Sequence, residues 1–583
     1  MTDKLVAVDL FAGAGGLSTG LAKAILDTHA ETIARETGLE ADQITLDNDR
    51  VHWWIGENVE LHAVNHWEHA IETHEQNHPW AEHYHAKIEE LHPPDVVEPG
   101  DVDLLVGGPS CTHYSRARGG KPVSEQKRAS GWHVLHWVEL LQPEHLVLEN
   151  VPEFRDWGPI VDGQPTRDGS IFRRWVGMLE ALGYSVLYDD VDEAYGSVLN
   201  AADFGEAQSR TRLFILASQS IRPTAPESTH SDADSDKPDR RTAADIIDWS
   251  DLGSSLWTRD LENPRVQPLA KSTMSRIAEG IRRHCDDRLA ALADALEQIG
   301  KDELRELREN VVPAEHAATV ADAIDHPFLV RVPSGRTALT TPEAFCLRQQ
   351  SGGVPAPTNG PLPTVAKKGA IGMATAQTRS LVMPRNGPRR GIHSNPLYDP
   401  ADRPLHTVTA KNTDGYLVSP SILHYSHGGS LRDIDDPMPT IATEKGGAFA
   451  LSNPIVAPFL DEHYGKGRPQ PIDSPLPTVT KKERFALCVP EVFPYGLDVR
   501  YRMLEPHELK QAQGFPESYE LAGGTKKSVT AQIGNAVPVN LARALCRHLL
   551  VDETPSLSQF GGGVTADPAT NVPAYSEVIE SDD

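Results

Sequence analysis

KLVAVDLFAGAGGLSTGLAKAILDT, residues 4–28, changes texture twice. An apolar run with β-branched residues gives way to a glycine-rich turn, and the turn to a stretch with helical spacing. The implied unit is strand, turn, helix. Glycines at 13, 15 and 16 let backbone approach a bound molecule closely. Their spacing does not fit the G-x-G-x-x-G pattern of dinucleotide sites, so NAD and FAD are unsupported. A tight turn in a sheet protein accounts for them equally well.

The same alternation continues downstream. A second strand is expected at 61–64 and a helix over 68–77. VDLLVGG at 102–108 and HLVLENV at 145–151 read as buried strands, and residues 171–191 as helix, glycine, strand. The predicted fold class is therefore α/β, with an open and mostly parallel sheet. In such a sheet ligands bind at the carboxyl ends of the strands, where both the glycine turn and GGPSC (107–111) fall. The long connection from 22 to 60 holds VHWWIGENVEL, to which the sequence assigns no role.

Residues 218–246 are polar and rich in Pro, Ser and Asp, and read as an exposed connection, followed by a helical stretch at about 270–324. From about 355 to 490 a degenerate repeat appears: PLPTVAKKG from Pro361, PLHTVTAKN from Pro404, PMPTIATEKG from Pro437 and PLPTVTKKE from Pro475. Its degeneracy favours an irregular β-rich recognition region over a propeller or solenoid. Lys367, Lys368, Lys411, Lys445, Lys481 and Lys482 recur at the turns, a spacing suited to phosphates or base edges. Lys and Gly are also simply good turn residues. Helical patterns return in LEPHELKQAQGFPESY and AQIGNAVPVNLARALCRHLL. The expected division is 1–217 and 495–551 for a split first domain, 218–494 for linker, helical segment and recognition region, and 552–583 for a disordered tail.

At 583 residues the chain is long enough for two to three domains. It has no apolar run of transmembrane length and no basic-then-apolar leader at its start, so a soluble cytoplasmic protein is expected, with no membrane partner. Asp+Glu 83 against Lys+Arg 55 gives a net charge of −28, which argues against a general nucleic-acid binder. Net charge describes solubility and medium more directly than it describes one groove. An acidic, halophile-like surface suits a high-salt cytoplasm, where charges are screened within about 3 Å at molar ionic strength. The five cysteines include no Cys-x-x-Cys pair and no zinc-like spacing to histidine, so no metal site is expected. Cys111 taken alone is a lone thiol in a bend, either a buried small residue or a nucleophile.

Five pieces occur in order: the glycine turn, GGPSC, ENV at 149–151, QSRTR at 208–212, and QGFPESY (513–519) with QIGNAVP (532–538). Together they resemble the cytosine-5 DNA methyltransferase family, over roughly 1–217 and 495–550. The resemblance implies an S-adenosylmethionine-dependent fold with a large inserted target-recognition region. It implies methyl transfer to C5 of a flipped-out cytosine in duplex DNA, through a covalent bond between Cys111 and C6. Glu149 matches the acid that contacts N3 and the exocyclic amine, and Asn150 would brace the loop. Arg210 and Arg212 match arginines that orient the base, the loop or the acid, Arg210 being favoured for base contact. Phe11, Gly13, Gly15, Gly16, Asn65, Trp67, Glu68, Pro109 and Asn535 are the expected cofactor residues, Asn535 as the start of the last helix. Residues 530–550 would pack against the first strand. Ser115, Arg116, Arg118 and Lys121 would reach phosphates from a mobile loop over the base, a local basic patch in an acidic protein. The resemblance also admits a cognate restriction endonuclease as partner, a monomer, and a nucleoid-associated location.

The chain departs from the family pattern in three places. Ser110 replaces the usual Pro before the cysteine, Asn65 stands where an acid holds the cofactor ribose, and Lys87 where an acid meets the adenine amine. Glu68 and Glu89 are the nearby acids that could substitute, and His66 or Trp67 could cover the adenine ring. The rival readings are a cytosine-5 methyltransferase acting on RNA or tRNA, an enzyme adding another one-carbon unit to a pyrimidine, and a catalytically silent methylase-shaped DNA-binding module.

Overall fold

The computed structural model describes residues 4–109, 130–161, 164–233, 236–285, 289–321, 323–332, 334–341, 457–462, 467–493 and 496–552, together with short strands at 381–383, 416–418, 421–425, 431–433 and 448–451. Cys111, the expected DNA loop, most of the repeat region and the tail beyond Asp552 lie outside the described residues. Two units divide the chain: Met1–Arg241 with Pro477–Lys481 and Lys510–Asp583, and Thr242–Leu476 with Lys482–Leu509.

The first unit is built around β1 (Leu5–Leu10), which pairs in parallel with β2 (Val59–Asn65) on one side and β4 (Leu104–Gly107) on the other. Beyond β2 lies β3 (Glu82–His85), and beyond β4 lies β5 (His145–Asn150), both parallel. β6 (Ser185–Val186), β7 (Ser197–Asn200) and β8 (Thr211–Ser218) complete the sheet in antiparallel pairing, giving the order β7-β8-β5-β4-β1-β2-β3 with β6 beside β8. The chain leaves β1 toward one edge and later returns toward the other. The switch point therefore falls between β1 and β4.

The helices of this unit are α1 (Gly16–Thr37), α2 (Asp49–Asn58), α3 (Glu68–Asn77), α4 (Ser130–Leu141), α5 (Ser170–Ala181), α6 (Lys526–Asn535) and α7 (Val539–Arg547). The inner strands β4 and β5 are buried along their whole length because both faces are covered. Ala7, Leu104, Val106, Val147 and Phe214 join α1, α2 and α7 in one core, while Val8, Leu105, Leu146, Leu148 and Ile215 join α4 and α5 in the other. Each large apolar side chain buried this way contributes about 1.5–3 kcal/mol.

The unassigned VHWWIGEN is α2. Asn48 caps it by accepting from the Arg50 N–H, and buried Trp54 donates its indole N–H to Glu36 at 2.8 Å while Trp53 is exposed. Two expectations about the closing segment need correction. The last helix packs chiefly on α1 rather than on the first strand, because Gly20 brings the helices together: a Cβ there would stand 2.4 Å from Ala542 Cβ. Asn535 ends α6 instead of beginning the last helix, which starts at Val539 after Pro538. Proline fixes the entry φ and has no N–H to leave unsatisfied, so it suits that start.

The second unit holds an antiparallel sheet centred on the hairpin Phe485–Phe493 and Gly496–Met503. Helices Lys271–His284, Ala290–Gln298 and Lys301–Glu309 realise the predicted helical stretch. Ile277, Ile281 and Leu296 share a core with Phe459, Leu339 and Val499. The expected boundaries at 217/218 and 494/495 shift for physical reasons. Residues after 217 stay with the first unit because Arg240 clasps Asp203 at 2.5 and 2.8 Å and the Thr229 and His230 N–H groups donate to the Asp203 carbonyl. Residues from Gly496 to Met503 belong to the second because that strand pairs with Phe485–Phe493 along its length.

Candidate active site

Strand register assembles the site. Leu10 lies opposite Val64 and Gly107, and Gly107 opposite Leu148, so Phe11, Asn65, Gly108 and Glu149 stand in one row at the strand ends. The turn after β1 is left-handed at Phe11 (φ 64°), Gly13 (57°) and Gly15 (81°), and the Ala12 N–H donates to the Val64 carbonyl at 3.1 Å. Phe11 is no glycine, and holding it there costs of order 1 kcal/mol or more. The three glycines serve different ends. A Cβ on Gly15 would meet the Tyr519 hydroxyl at 2.5 Å and one on Gly16 the Val537 carbonyl at 2.2 Å, so packing alone demands both. At Gly13 the nearest atom would be the Phe11 carbonyl oxygen at 3.6 Å, leaving a cradle open to a ligand.

The β2 end is organised by Asn65, which is buried and accepts the Trp67 N–H at 2.9 Å on Oδ1. Trp67 is half-buried, and His66 and Glu68 are exposed at the start of α3. Beyond β3, Lys87 pairs with Glu90 at 2.7 Å, while Glu89 is exposed. The donor set at these strand ends is thus one buried amide and free-standing acids, rather than acids at positions 65 and 87. Asn65, Trp67, Glu68 and the Gly13 cradle fit a nucleoside with an amino-acid tail.

Across the switch point the arrangement is ionic. Glu149 is mostly buried, and Arg212 Nε meets its Oε1 at 2.9 Å. The register explains the pairing: Leu213 lies opposite Asn150, bringing the neighbouring Arg212 of β8 to the end of β5. Asn150 donates to the Pro109 carbonyl at 3.2 Å and accepts the Val151 N–H, so it ties the end of β5 to Pro109. The two arginines exchange their expected emphasis. Arg210 is buried, with Nη1 donating to the Val479 and Gly534 carbonyls at 3.1 Å each. Beside it Gln208 accepts the Val479 N–H at 2.7 Å and donates to Gln513, which in turn donates to the Ala536 carbonyl. Arg210 is a clamp on Pro477–Lys481, a piece of the last repeat, and on α6. Arg212 is the arginine at the acid.

A buried polar group beneath the glycine turn escapes the sequence reading. Tyr519 donates to the Ala14 carbonyl and Thr19 to the Gly15 carbonyl, both at 2.6 Å. Ser18 donates to Asp9 Oδ2 at 2.6 Å and lies 2.9 Å from His74 Nε2, and His74 Nδ1 lies 2.8 Å from His83 Nε2. The His78 ring stands 4.3 Å from that of His74, with Nε2 at 3.1 Å from the Thr19 hydroxyl. Burial pushes the Asp9 carboxyl up to about 7 against the lowering effect of Ser18, pulls His78 down to about 3, and holds His74 well below the usual imidazole range. The available signal was His74 and His78 at i, i+4 spacing at the end of a short amphipathic helix, His78 being its C-cap; which strand and turn they meet depends on tertiary packing.

A cavity of about 580 Å³ lies elsewhere, among Lys23, Asp27, Asp47, Arg241, Phe515 and Arg543, and contains none of the expected site residues. Among the described residues no cluster of His, Cys, Asp or Glu is arranged to hold a metal ion, and no helix is long and apolar enough to cross a membrane.

Residues 5–290 and 452–550 match the family described as C-5 cytosine-specific DNA methylase. The chain belongs to that family. Similar proteins include the type II methyltransferase M.BspRI of Lysinibacillus sphaericus, 29% identical over 242 residues that cover 41% of this chain and 50% of that protein. The type II methyltransferase M.Sau3AI of Staphylococcus aureus is 26% identical over 217 residues, 37% of this chain and 43% of that one. The chain thus spans about half the length of these curated relatives. The fold is that of an S-adenosylmethionine-dependent methyltransferase with β-rich additions, and S-adenosylmethionine is the cofactor of this methylase family.

Proposed function

We propose that the chain methylates cytosine at C5 in duplex DNA through a covalent adduct at C6. The observation carrying this reading is the Glu149–Arg212 pair at the same strand-end row as Gly108 and Pro109, two residues before Cys111. S-adenosylmethionine supplies the electrophilic methyl group when bound. Phe11, Gly13, Asn65, Trp67, Glu68 and Pro109 would hold it, and Asn535, Gly15 and Gly16 shape the surrounding backbone.

In this reading the cytosine leaves the helix stack, because C6 is out of reach inside a duplex. The Cys111 thiolate adds its electron pair to C6, and the ring electrons move toward N3 and make C5 nucleophilic. Glu149 stabilises that change by hydrogen bonding at N3 and the exocyclic amine, and the Arg212 guanidinium keeps the carboxyl oriented. After C5 is methylated, its proton passes to a base or water, the C5–C6 double bond re-forms and the thiolate leaves. Ser115, Arg116, Arg118 and Lys121 contact phosphates, and the lysines of the repeats contribute to target recognition.

Labelled S-adenosylmethionine incubated with unmethylated duplex DNA at high salt, with tRNA in parallel, tests the reading. Label should appear on C5 of cytosine in DNA and vanish with Cys111→Ser. Label on adenine, label on tRNA alone, or transfer surviving the substitution would refute it.

A further inference from the structure

We infer that Asp9, Ser18, His74 and His83 form a hydrogen-bond chain that reverses direction when Asp9 gains or loses a proton, so that the base of the glycine turn responds to pH. The geometry fixes the links: 2.6 Å from Ser18 to Asp9, 2.9 Å from His74 to Ser18, and 2.8 Å from His74 to His83. Asp9, Ser18 and His74 are buried, while His83 is partly exposed and forms the solvent end.

With Asp9 ionised, Ser18 donates to the carboxylate, His74 Nε2–H donates to Ser18, and His83 Nε2–H donates to His74 Nδ1. On protonation, a proton from water joins His83 Nδ1. The His83 Nε2 proton passes to His74 Nδ1, the His74 Nε2 proton to Ser18, and the Ser18 hydroxyl proton to Asp9. The Ser18 hydroxyl loses one proton as it gains one, and each imidazole gains a proton at Nδ1 as it loses one from Nε2, so the only charge change is on Asp9. Neither histidine becomes cationic. Asp9 Oδ1 has no hydrogen-bond partner among the described residues, and the carboxyl is pushed up to about 7 by burial, so both states fall in an accessible range.

Burial disfavours a second proton on His83, while Glu75 and the Ala81 carbonyl oppose that lowering in part. From α2, His52 faces His78, and from α7 the Cys546 thiol, itself pushed up to about 12 by burial, faces Asp9. Tyr519 is raised by burial and stays a phenol. His78 donates to Thr19, whose own proton goes to Gly15, so its tautomer is fixed and serves as an internal reference. Because Ser18 links α1 to β1 across the turn, reversal changes the hydrogen bond that spans the expected cofactor loop.

The test is the ring-nitrogen NMR of the full-length protein labelled in histidine, from pH 5.5 to 8.5, without cofactor. The His74 proton should move from Nε2 to Nδ1 as the pH falls through about 7, with the ring remaining neutral, and both Asp9→Asn and Ser18→Ala should abolish the move. One His74 tautomer throughout in the wild type, a His74 cation, or a change persisting in either variant would overturn the inference. S-adenosylhomocysteine affinity by calorimetry should shift across the same midpoint in the wild type only. That arm rests on the cofactor reading above. Failure to bind at any pH would count against that reading, whereas pH-independent binding would overturn the link to the cofactor loop.

Discussion

Glu149 and Asp9 are both carboxylates near the row of strand ends, and they are held in opposite ways. Glu149 faces a guanidinium at 2.9 Å, whereas Asp9 faces the Ser18 hydroxyl, beyond which stands neutral His74. A partly buried ion pair depends on both members, because removing one leaves the other charge uncompensated. A buried carboxyl with hydrogen bonds alone stays near the balance between its two forms. The region at β5 and β8 is therefore built as an ion pair, and the region under the glycine turn as a buried carboxyl in a chain of neutral hydrogen-bonding groups.

The most severe way to break this contrast is to remove the cation. Arg212→Ala should lower methyl transfer by about 10²–10³-fold, the scale seen when one electrostatic stabiliser is lost, with Arg212→Lys in between because it keeps charge without the planar fork. Steady-state transfer at saturating DNA and cofactor reads this effect. Gly16→Ala tests the packing half of the turn. A Cβ placed 2.2 Å from the Val537 carbonyl forces α1 and the 536–538 segment apart and should cost about 3 kcal/mol in urea unfolding. Arg210→Gln, which removes charged donors from the Val479 and Gly534 carbonyls, should cost about 2 kcal/mol. An equal loss of activity from the Arg210 and Arg212 substitutions at unchanged stability would erase the distinction between clamp and acid partner.

Much of the contrast was legible in sequence, but not its sign at each residue. The strand–turn–helix at 4–28 and the helix at 68–77 follow from periodicity alone, and that helix spans the predicted residues. The apolar runs at 102–108 and 145–151 became strands because both sheet faces are covered. The sequence favours Arg210 over Arg212 for base contact, and their neighbours at residues 149, 479 and 534, which only the fold brings together, set Arg212 beside the acid. Asn535 looked like a helix start because Asn is a good cap, yet Pro538 sets the true beginning. The histidine cluster was hidden because its partners come from β1, α1, α3 and β3.

Stability against pH sharpens the comparison by smaller amounts. His78, pulled down to about 3 in the folded protein, is neutral when folded and protonated when unfolded below about 6.5, so it contributes stability that is lost as pH falls from about 6.5 toward 3. Asp9, pushed up to about 7, holds a proton when folded and loses it when unfolded, so its contribution is present below about 4 and is lost as pH rises toward 7. Between pH 5 and 6 these oppose each other. Asp9→Asn should therefore steepen the rise of unfolding free energy with pH by about one proton, and His78→Phe should flatten it by about one, about 1.4 kcal/mol per pH unit each. Parallel slopes in all three proteins would contradict the assigned protonation states. The smallest effect is expected at Lys87: its pair with Glu90 is exposed to solvent, so Lys87→Ala should leave melting and cofactor affinity nearly unchanged.

The central claim is that the Glu149–Arg212 corner serves a cytosine bound covalently through Cys111. Duplex DNA carrying 5-fluorocytosine at the methylated position tests it directly, because fluorine cannot leave C5 as a proton does and the adduct cannot collapse. With S-adenosylmethionine present, peptide mass spectrometry should find one DNA-linked peptide, containing Cys111 and absent from Cys111→Ser. A covalent link at another residue, or product released without any link, would contradict the account.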